Sequence, residues 1–358
     1  MFYQVTLGEL LFSLSLWFIA LFKYKGAIDI RNQSKGSYIF FTLLLIVYTT
    51  FAFASGDFIH YYVLYTKISR GYIDDSMEDF YNCLIDVLPI GYYWWRLFVW
   101  GISTFLLVLT YKRIKSPVLL TCFFFVLVLM SLYSSPRNTL GYITLYYSMT
   151  FLLIPFRSKI ISYLIACLGI LISVFLHKSM PLYIALMLVA FVPFNRKLYI
   201  ASLIAFPIIY ISFDYFSEYI LAQDLGEGEF VSSGVNYLEG EHFAKLTLYG
   251  YIQFAISRIP LLLLLYYMIV NVLNGTIKNH FIIHFTKYSY ILVYLSFVFF
   301  NQETSSFLSN RFWDASLYSM ALIIPLSVYQ QKAKIISFSI YMLILANLYS
   351  IAYSIYKF

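Results

Sequence analysis

Charge is what this sequence has least of. Only 11% of its 358 residues are Asp, Glu, Lys or Arg, against about a quarter in an ordinary soluble domain. With 61% hydrophobic residues and a mean hydropathy of +0.78, the composition excludes a water-soluble globule. Cysteine is also sparse. Cys122 and Cys167 fall inside apolar runs and Cys83 stands alone in a polar stretch, which excludes a disulfide framework and a zinc cluster by spacing. The chain has no Walker loop, no Rossmann glycine pattern, no His-x-x-x-His and no Gly-x-Ser-x-Gly, so the familiar nucleotide, zinc-protease and serine-hydrolase chemistries have no motif to rest on. Short alternating segments of about ten residues, the mark of a membrane β-barrel, are missing too.

What is present is a succession of apolar runs, each near the roughly 20 residues that cross a hydrocarbon core. They predict an all-α polytopic membrane protein with about 12 transmembrane helices. The expected spans are 3–22, 38–55, 93–111, 117–133, 139–155, 159–176, 180–194, 198–213, 249–272, 282–300, 311–329 and 335–355. Tyr and Trp crowd the span ends, as an aromatic belt requires. The run from Phe2 to Phe22 has no basic residues before it and no small-residue cleavage site, so it reads as a retained helix rather than a signal peptide. No repeat or linker interrupts the series, and residues 1–358 read as a single transmembrane domain.

Orientation follows from the basic residues. Lys23, Lys25, Arg31, Lys35, Lys112, Arg113, Lys115, Arg157, Lys159, Arg196, Lys197, Lys278, Lys287, Lys332 and Lys334 make up 15 of the 24 Lys and Arg. They fall on one side of the span order with almost no acid among them. The positive-inside rule puts that side in the cytoplasm and both termini outside. The formal charge of +7 is thereby topological, and nucleic acid is not expected as a partner.

Two outer segments are long. Residues 56–92 interleave Asp57, Asp74, Asp75, Glu78, Asp79 and Asp86 with Tyr61, Tyr62, Tyr65, Tyr72 and Tyr81, a pattern that predicts an amphipathic helix in the interface. Residues 214–248 contain Gly-Glu-Gly-Glu at 226–229 and Ser232, Ser233 and Gly234, which predicts a loop or lid.

Basic residues at or within the outer span ends form the candidate site. Arg137 opens the fifth span, His177 and Lys178 close the sixth, and Arg311 opens the eleventh. A terminal Arg or Lys ordinarily snorkels to the headgroups, and Arg311 has Asp314 as an i,i+3 partner. Arg258 is harder to dismiss. It lies about nine residues into the ninth span, roughly 14 Å along a helix, where an arginine costs at least about 2.5–3.5 kcal/mol. It is expected to face water or an anion. The ammonium of Lys178 beside His177 favours a neutral, base-competent imidazole. Together these cations suit a phosphorylated lipid head or an acidic glycan. Asp57, Glu78, Asp79 and Glu303 are the nearby acids that offer a proton acceptor. Their spacing holds no metal site, and no cofactor is called for.

The order of Gly-Asp at 56–57, Ser-Ser-Pro-Arg-Asn at 134–138, Phe-Leu-His-Lys-Ser at 175–179, Asn-Arg-Phe-Trp at 310–313 and Ile-Ile-Pro at 323–325 resembles the EpsG-like group of Wzy polysaccharide polymerases. These bacterial enzymes build O-antigen, capsule or exopolysaccharide from lipid-linked repeat units. The resemblance covers about residues 50–330. It implies a GT-C type glycosyltransferase at the periplasmic face of the inner membrane, with undecaprenyl-diphosphate-linked oligosaccharides as both donor and acceptor. A chain-length regulator is the protein partner it brings into view. The family's Asp, Arg, His-Lys and late Arg map onto Asp57, Arg137, His177 with Lys178, and Arg311; Asn138 departs from the Gln often found there. On this reading Arg137, Lys178, Arg258 and Arg311 hold the diphosphate, and His177, then Asp57, then Glu303, is the base.

Two other classes share some of these features. An O-antigen ligase would use the same outer cations on a lipid A core acceptor, and only the motif order separates it. A lipid-linked oligosaccharide flippase needs charge toward the cytoplasmic half of its path, and here the inner span ends hold only topological Lys and Arg. A membrane O-acyltransferase would want an early His-Arg pair, which is absent.

Overall fold

The computed structural model describes residues 43, 46, 56–72, 79–87, 90–115, 136–222, 248–299 and 306–330. Among them every regular element is an α-helix and no strand occurs. In chain order these are α1 (Gly56–Ile68), α2 (Asp79–Val87), α3 (Tyr92–Ile114), α4 (Pro136–Leu153), α5 (Lys159–Leu176), α6 (Met180–Val189), α7 (Arg196–Ala222), α8 (Leu248–Leu273), α9 (His280–Val298) and α10 (Ser306–Gln330). The expected spans 3–22, 117–133 and 335–355 lie outside the described residues. The helices α3, α5 and α9 are long and apolar enough to cross a membrane. The chain divides into two compact units, one built mainly from residues 1–185 and the other from 186–320.

The packing of α5 shows why its sequence suits lipid. Ser162, Ala166 and Ser173 are fully buried, and Gly169 continues the same stripe at helical spacing. On the opposite face Leu164, Leu168, Leu171 and Phe175 are each more than half exposed. Small residues point inward and large apolar ones outward, the arrangement by which helices approach closely in a bilayer. A Cβ placed on Gly169 would stand 2.0 Å from Ser148 Oγ of α4, so only glycine permits this approach. The buried hydroxyls find backbone partners: Ser162 Oγ accepts from Phe156 N–H at 2.6 Å and Ser173 Oγ donates to Ile170 O at 2.7 Å.

The 56–92 segment, expected to hold outer loop and amphipathic helix, is helical in two pieces. It forms α1 and α2, with Gly71 at φ 86° in the turn that follows α1. Tyr61, Leu64, Tyr65 and Ile68 make one stripe of α1, and Tyr81 and Ile85 one of α2. Both stripes pack into a common core with Tyr92, Trp95 and Val99 of α3, Leu140 of α4 and Leu176 of α5. These stripes meet protein, while Tyr62, Val63, Phe80 and Val87 stay exposed on the other faces. Tyr65 also accepts a hydrogen bond through its hydroxyl from Gly91 N–H at 2.8 Å, pinning α1 to the start of α3.

Arg113, expected to serve only as a topology signal, ties α3 to the end of α4. Its Nε donates to Thr150 Oγ1 at 2.9 Å and its Nη2 to the Ile154 carbonyl. Its guanidinium lies 3.9 Å from the Phe151 ring centre and 4.4 Å from that of Phe156.

Three boundaries differ from expectation. The seventh span, drawn over 180–194, is the ten-residue α6, about 15 Å long where a bilayer core needs about 30 Å. In the second unit Lys287 Nζ donates to Val192 O at 3.1 Å, and the Phe191 and His284 rings meet at 4.1 Å. Lys287, counted with the cytoplasmic loops, sits inside α9. The eighth span runs on as α7 to Ala222, so the start of the expected 214–248 loop is helical; residues 223–247 lie outside the described set. Finally α10 begins at Ser306, five residues before the expected start.

Candidate functional site

The first unit brings three of the sequence-predicted residues into one neighbourhood. Arg137 is the second residue of α4. His177 and Lys178 lie in the short break between α5 and α6, where His177 leaves the helix with extended backbone (φ −159°, ψ 126°). Gly141 lets α4 approach that break: a Cβ built on it would be 3.3 Å from His177 Cβ and 3.2 Å from Met180 Cε. Arg137 is one turn before Gly141 and therefore on the same face of α4. Arg137 and His177 are both half-buried, and Lys178, next to His177 in the chain, is exposed.

Arg137 is oriented by α1. Its Nε donates to Tyr61 Oη at 3.0 Å, and its guanidinium lies 5.0 Å from the centre of the Tyr61 ring. Tyr61 is one turn after Asp57, the second residue of α1, so the backbone carries Asp57 toward the same end of the unit. His177 is held by its own turn. Its N–H donates to Ser173 O at 3.2 Å and its carbonyl accepts from Met180 N–H at 3.0 Å. Its Nδ1 lies 3.1 Å from Ser179 N and 2.7 Å from Ser179 Oγ. A guanidinium, an imidazole and an exposed ammonium at one end of a helical unit can hold an anion and polarise bonds to it.

Sequence reasoning passed over Arg96. It is wholly buried in the first turns of α3, with Nη1 3.4 Å from Tyr92 Oη and its guanidinium 5.8 Å from the Tyr92 ring centre. Tyr92 stacks on Trp95 at 5.9 Å and meets Tyr62 and Tyr65 at 5.3 and 5.7 Å. The available signal was an arginine a turn inside an apolar run, directly after Tyr-Tyr-Trp-Trp.

The second unit treats its arginine differently. Arg258 of α8 is only 5% exposed. Its Nη2 donates to Asn310 Oδ1 at 2.9 Å, and its guanidinium covers the Trp313 ring at 4.5 Å. The carboxylate of Asp314 adds a favourable opposite charge. Asn310, Trp313 and Asp314 all belong to α10, so Arg258 links α8 to α10, and of the water or anion expected to face it the structure supplies the anion, the Asp314 carboxylate. Arg311 lies in the second turn of α10 rather than at its start, and is half-buried. Glu303 and Glu78 lie outside the described residues. Among the described residues no three His, Cys, Asp or Glu side chains gather as a metal site.

No family model matches this chain, and neither the curated proteins nor the solved structures contain a match to it.

Proposed function

We infer that the chain is a polysaccharide polymerase, a GT-C type glycosyltransferase joining undecaprenyl-diphosphate-linked oligosaccharide units at the outer face of a bacterial inner membrane. The observation that carries this reading is the close approach of Gly141, one turn after Arg137 on α4, to His177, which brings two separate motifs of the resemblance to neighbouring helix ends.

In the reaction, a hydroxyl oxygen at the non-reducing end of one lipid-linked unit attacks the anomeric carbon of the growing chain. The bond from that carbon to the lipid diphosphate breaks, and its electron pair leaves with the diphosphate. The hydroxyl proton passes to a base supplied by the chain, and a new glycosidic bond remains. Negative charge grows on the diphosphate as it departs, so fixed cations lower the barrier. Arg137 and Lys178 perform that work in the first unit. Arg258, already bonded to Asn310 and stacked on Trp313, holds α8 to α10, and Arg311 of α10 is the second unit's candidate for binding the diphosphate. About a dozen spans with both termini outside would put this chemistry in the periplasm, where a chain-length regulator can dock. An O-antigen ligase would use the same cations, and the motif order favours the polymerase.

In cells that depend on this chain for long-chain polysaccharide, Arg137→Ala and His177→Ala should each leave only single repeat units on the lipid, with membrane levels of the protein unchanged. Normal long chains from both variants would overturn the reading.

A further inference from the structure

Two consecutive helices of the second unit carry a proline in their interior, Pro207 in α7 and Pro260 in α8. A proline has no N–H to give the carbonyl four residues back, and its ring presses on that carbonyl. The loosened turns are therefore 203–207 in α7 and 256–260 in α8. They stand at matching depth. Phe194 and Tyr199 meet the ring of Tyr290 on α9, and further along Phe206 meets Tyr294, so α7 and α9 run parallel. The short link between α8 and α9 sends those two in opposite directions, which puts Arg196 of α7 and Leu273 of α8 at one end of the unit. From those residues the prolines lie about 17 and 20 Å along their helices.

Each loosened turn is clasped from the side. Ser202 Oγ donates to Tyr199 O at 2.7 Å, so the Tyr290 hydroxyl 2.6 Å away is its donor. The Tyr294 hydroxyl donates to Ser202 O at 3.0 Å. In α8, Arg258 donates to Asn310 Oδ1 at 2.9 Å and lies on Trp313 of α10. On the Leu273 side of Pro260, Leu261, Leu264, Leu265, Met268 and Ile269 are buried. Beyond Pro207 the packing stops. Residues 207–212 are all exposed, and such a run goes more than once round a helix. Ile208 and Ile211 are 66% and 55% exposed, an apolar surface that suits hydrocarbon on every side. A helix fastened before a proline and unpacked after it is a hinge with its pivot held.

We propose that α7 and α8 bend as a pair about Pro207 and Pro260, and that the bend lets the apolar chain of a lipid-borne substrate into the second unit. The kind of substrate rests on the glycosyl-transfer reading; the bend does not. The clasps keep the Arg196 half of α7 on α9 and the Leu273 half of α8 on α10, so only the far halves move. Ala222, at the end of α7, is about 22 Å beyond Pro207, and a bend of about 20° carries it about 8 Å.

Spin labels read the bend in lipid nanodiscs, on a chain carrying Cys83→Ala, Cys122→Ala and Cys167→Ala. One label is attached at Tyr266→Cys, an exposed position of α8, and the second at Leu203→Cys or Ala222→Cys of α7. Distances from position 266 to 222 should spread about 8 Å more widely than those from 266 to 203. Pro207→Ala with Pro260→Ala, which restores both N–H groups, should make the two spreads equal. Equal spreads with both prolines present, or a wide spread that survives both alanines, overturn the bend. Added undecaprenyl diphosphate should move the wide distribution toward one end of its range, and an unmoved distribution overturns the admission of lipid. Turnover of one lipid-linked repeat unit should fall about 10-fold in the double-alanine chain; turnover equal to wild type overturns the role of the bend. Should the wild type itself form no ladder, the transfer reading falls alone, and the label distances with and without undecaprenyl diphosphate still decide the proposal.

Discussion

In the first unit Arg137 is half-buried and bonded to the Tyr61 hydroxyl, one turn before the glycine that α4 packs against His177. In the second unit the guanidinium of Arg258 is almost wholly enclosed, bonded to Asn310, laid on Trp313 and close to the Asp314 charge. Both arginines interrupt apolar sequence, yet their surroundings ask different things of them. Arg258 has an aromatic face, an amide and a carboxylate supplied by one neighbouring helix, which is what a buried cation needs to be stable. Arg137 has a phenol that accepts from its Nε and lies under its guanidinium. Arg113, enclosed by Thr150, the Ile154 carbonyl and two phenylalanines, follows the pattern of Arg258.

The contrast is sharpest in what alanine should do at each position. Arg137→Ala should lower transfer by about 100-fold or more, as loss of one charge-stabilising donor does, with the melting temperature of the purified protein nearly unchanged. Arg258→Ala should instead lower stability by roughly 3 kcal/mol, since it removes a charged hydrogen bond and a ring contact inside one unit. Thermal unfolding in detergent checks this, and Arg258→Lys should recover little because lysine has neither the fork nor the plane. A stable, inactive Arg258→Ala would erase the distinction between the two regions.

Packing under the first site supplies the next test. Gly169→Ala forces a methyl onto Ser148 Oγ, and overpacking of this kind costs about 1–3 kcal/mol. Ser148→Gly in the same chain should restore part of the lost thermal stability, and no restoration would mean that α4 and α5 do not meet there. The smallest effect is expected from Tyr61→Phe. It keeps the ring under Arg137 but removes the acceptor, so transfer should fall about fivefold for a contact of about 1 kcal/mol. An effect as large as that of Arg137→Ala would make the phenol a reacting group rather than a positioning one.

Much of the helical layout was legible because hydropathy reports the length of an apolar run. α3, α5, α8 and α9 begin and end within a few residues of their expected bounds. α6 was not legible in this way, since the apolar run continues through Phe194 while the helix stops at Val189. Pro193 was the signal, because the residue before a proline is turned away from helical geometry. The His177–Lys178 pair and Arg137 lie at helix ends, as the span bounds predicted, but Gly141, where α4 approaches His177, carries no mark of its own in the sequence. Burial of Arg96 and the clasp around Arg258 depend on which helix lies alongside, and one-dimensional charge patterns do not hold that information. Which tyrosines of 56–92 turn inward was not legible: Tyr61, Tyr65 and Tyr81 are buried against protein while Tyr62 and Tyr72 are exposed, and an amphipathic stripe looks the same whether it meets lipid or protein.

The most direct measurement is incubation of the purified protein in lipid nanodiscs with a single undecaprenyl-diphosphate-linked repeat unit, followed by separation of the products by length. A ladder of lengths that disappears in Arg137→Ala is the result this account predicts. Recovery of the unit unchanged, or its transfer only when a lipid A core is added, would contradict it.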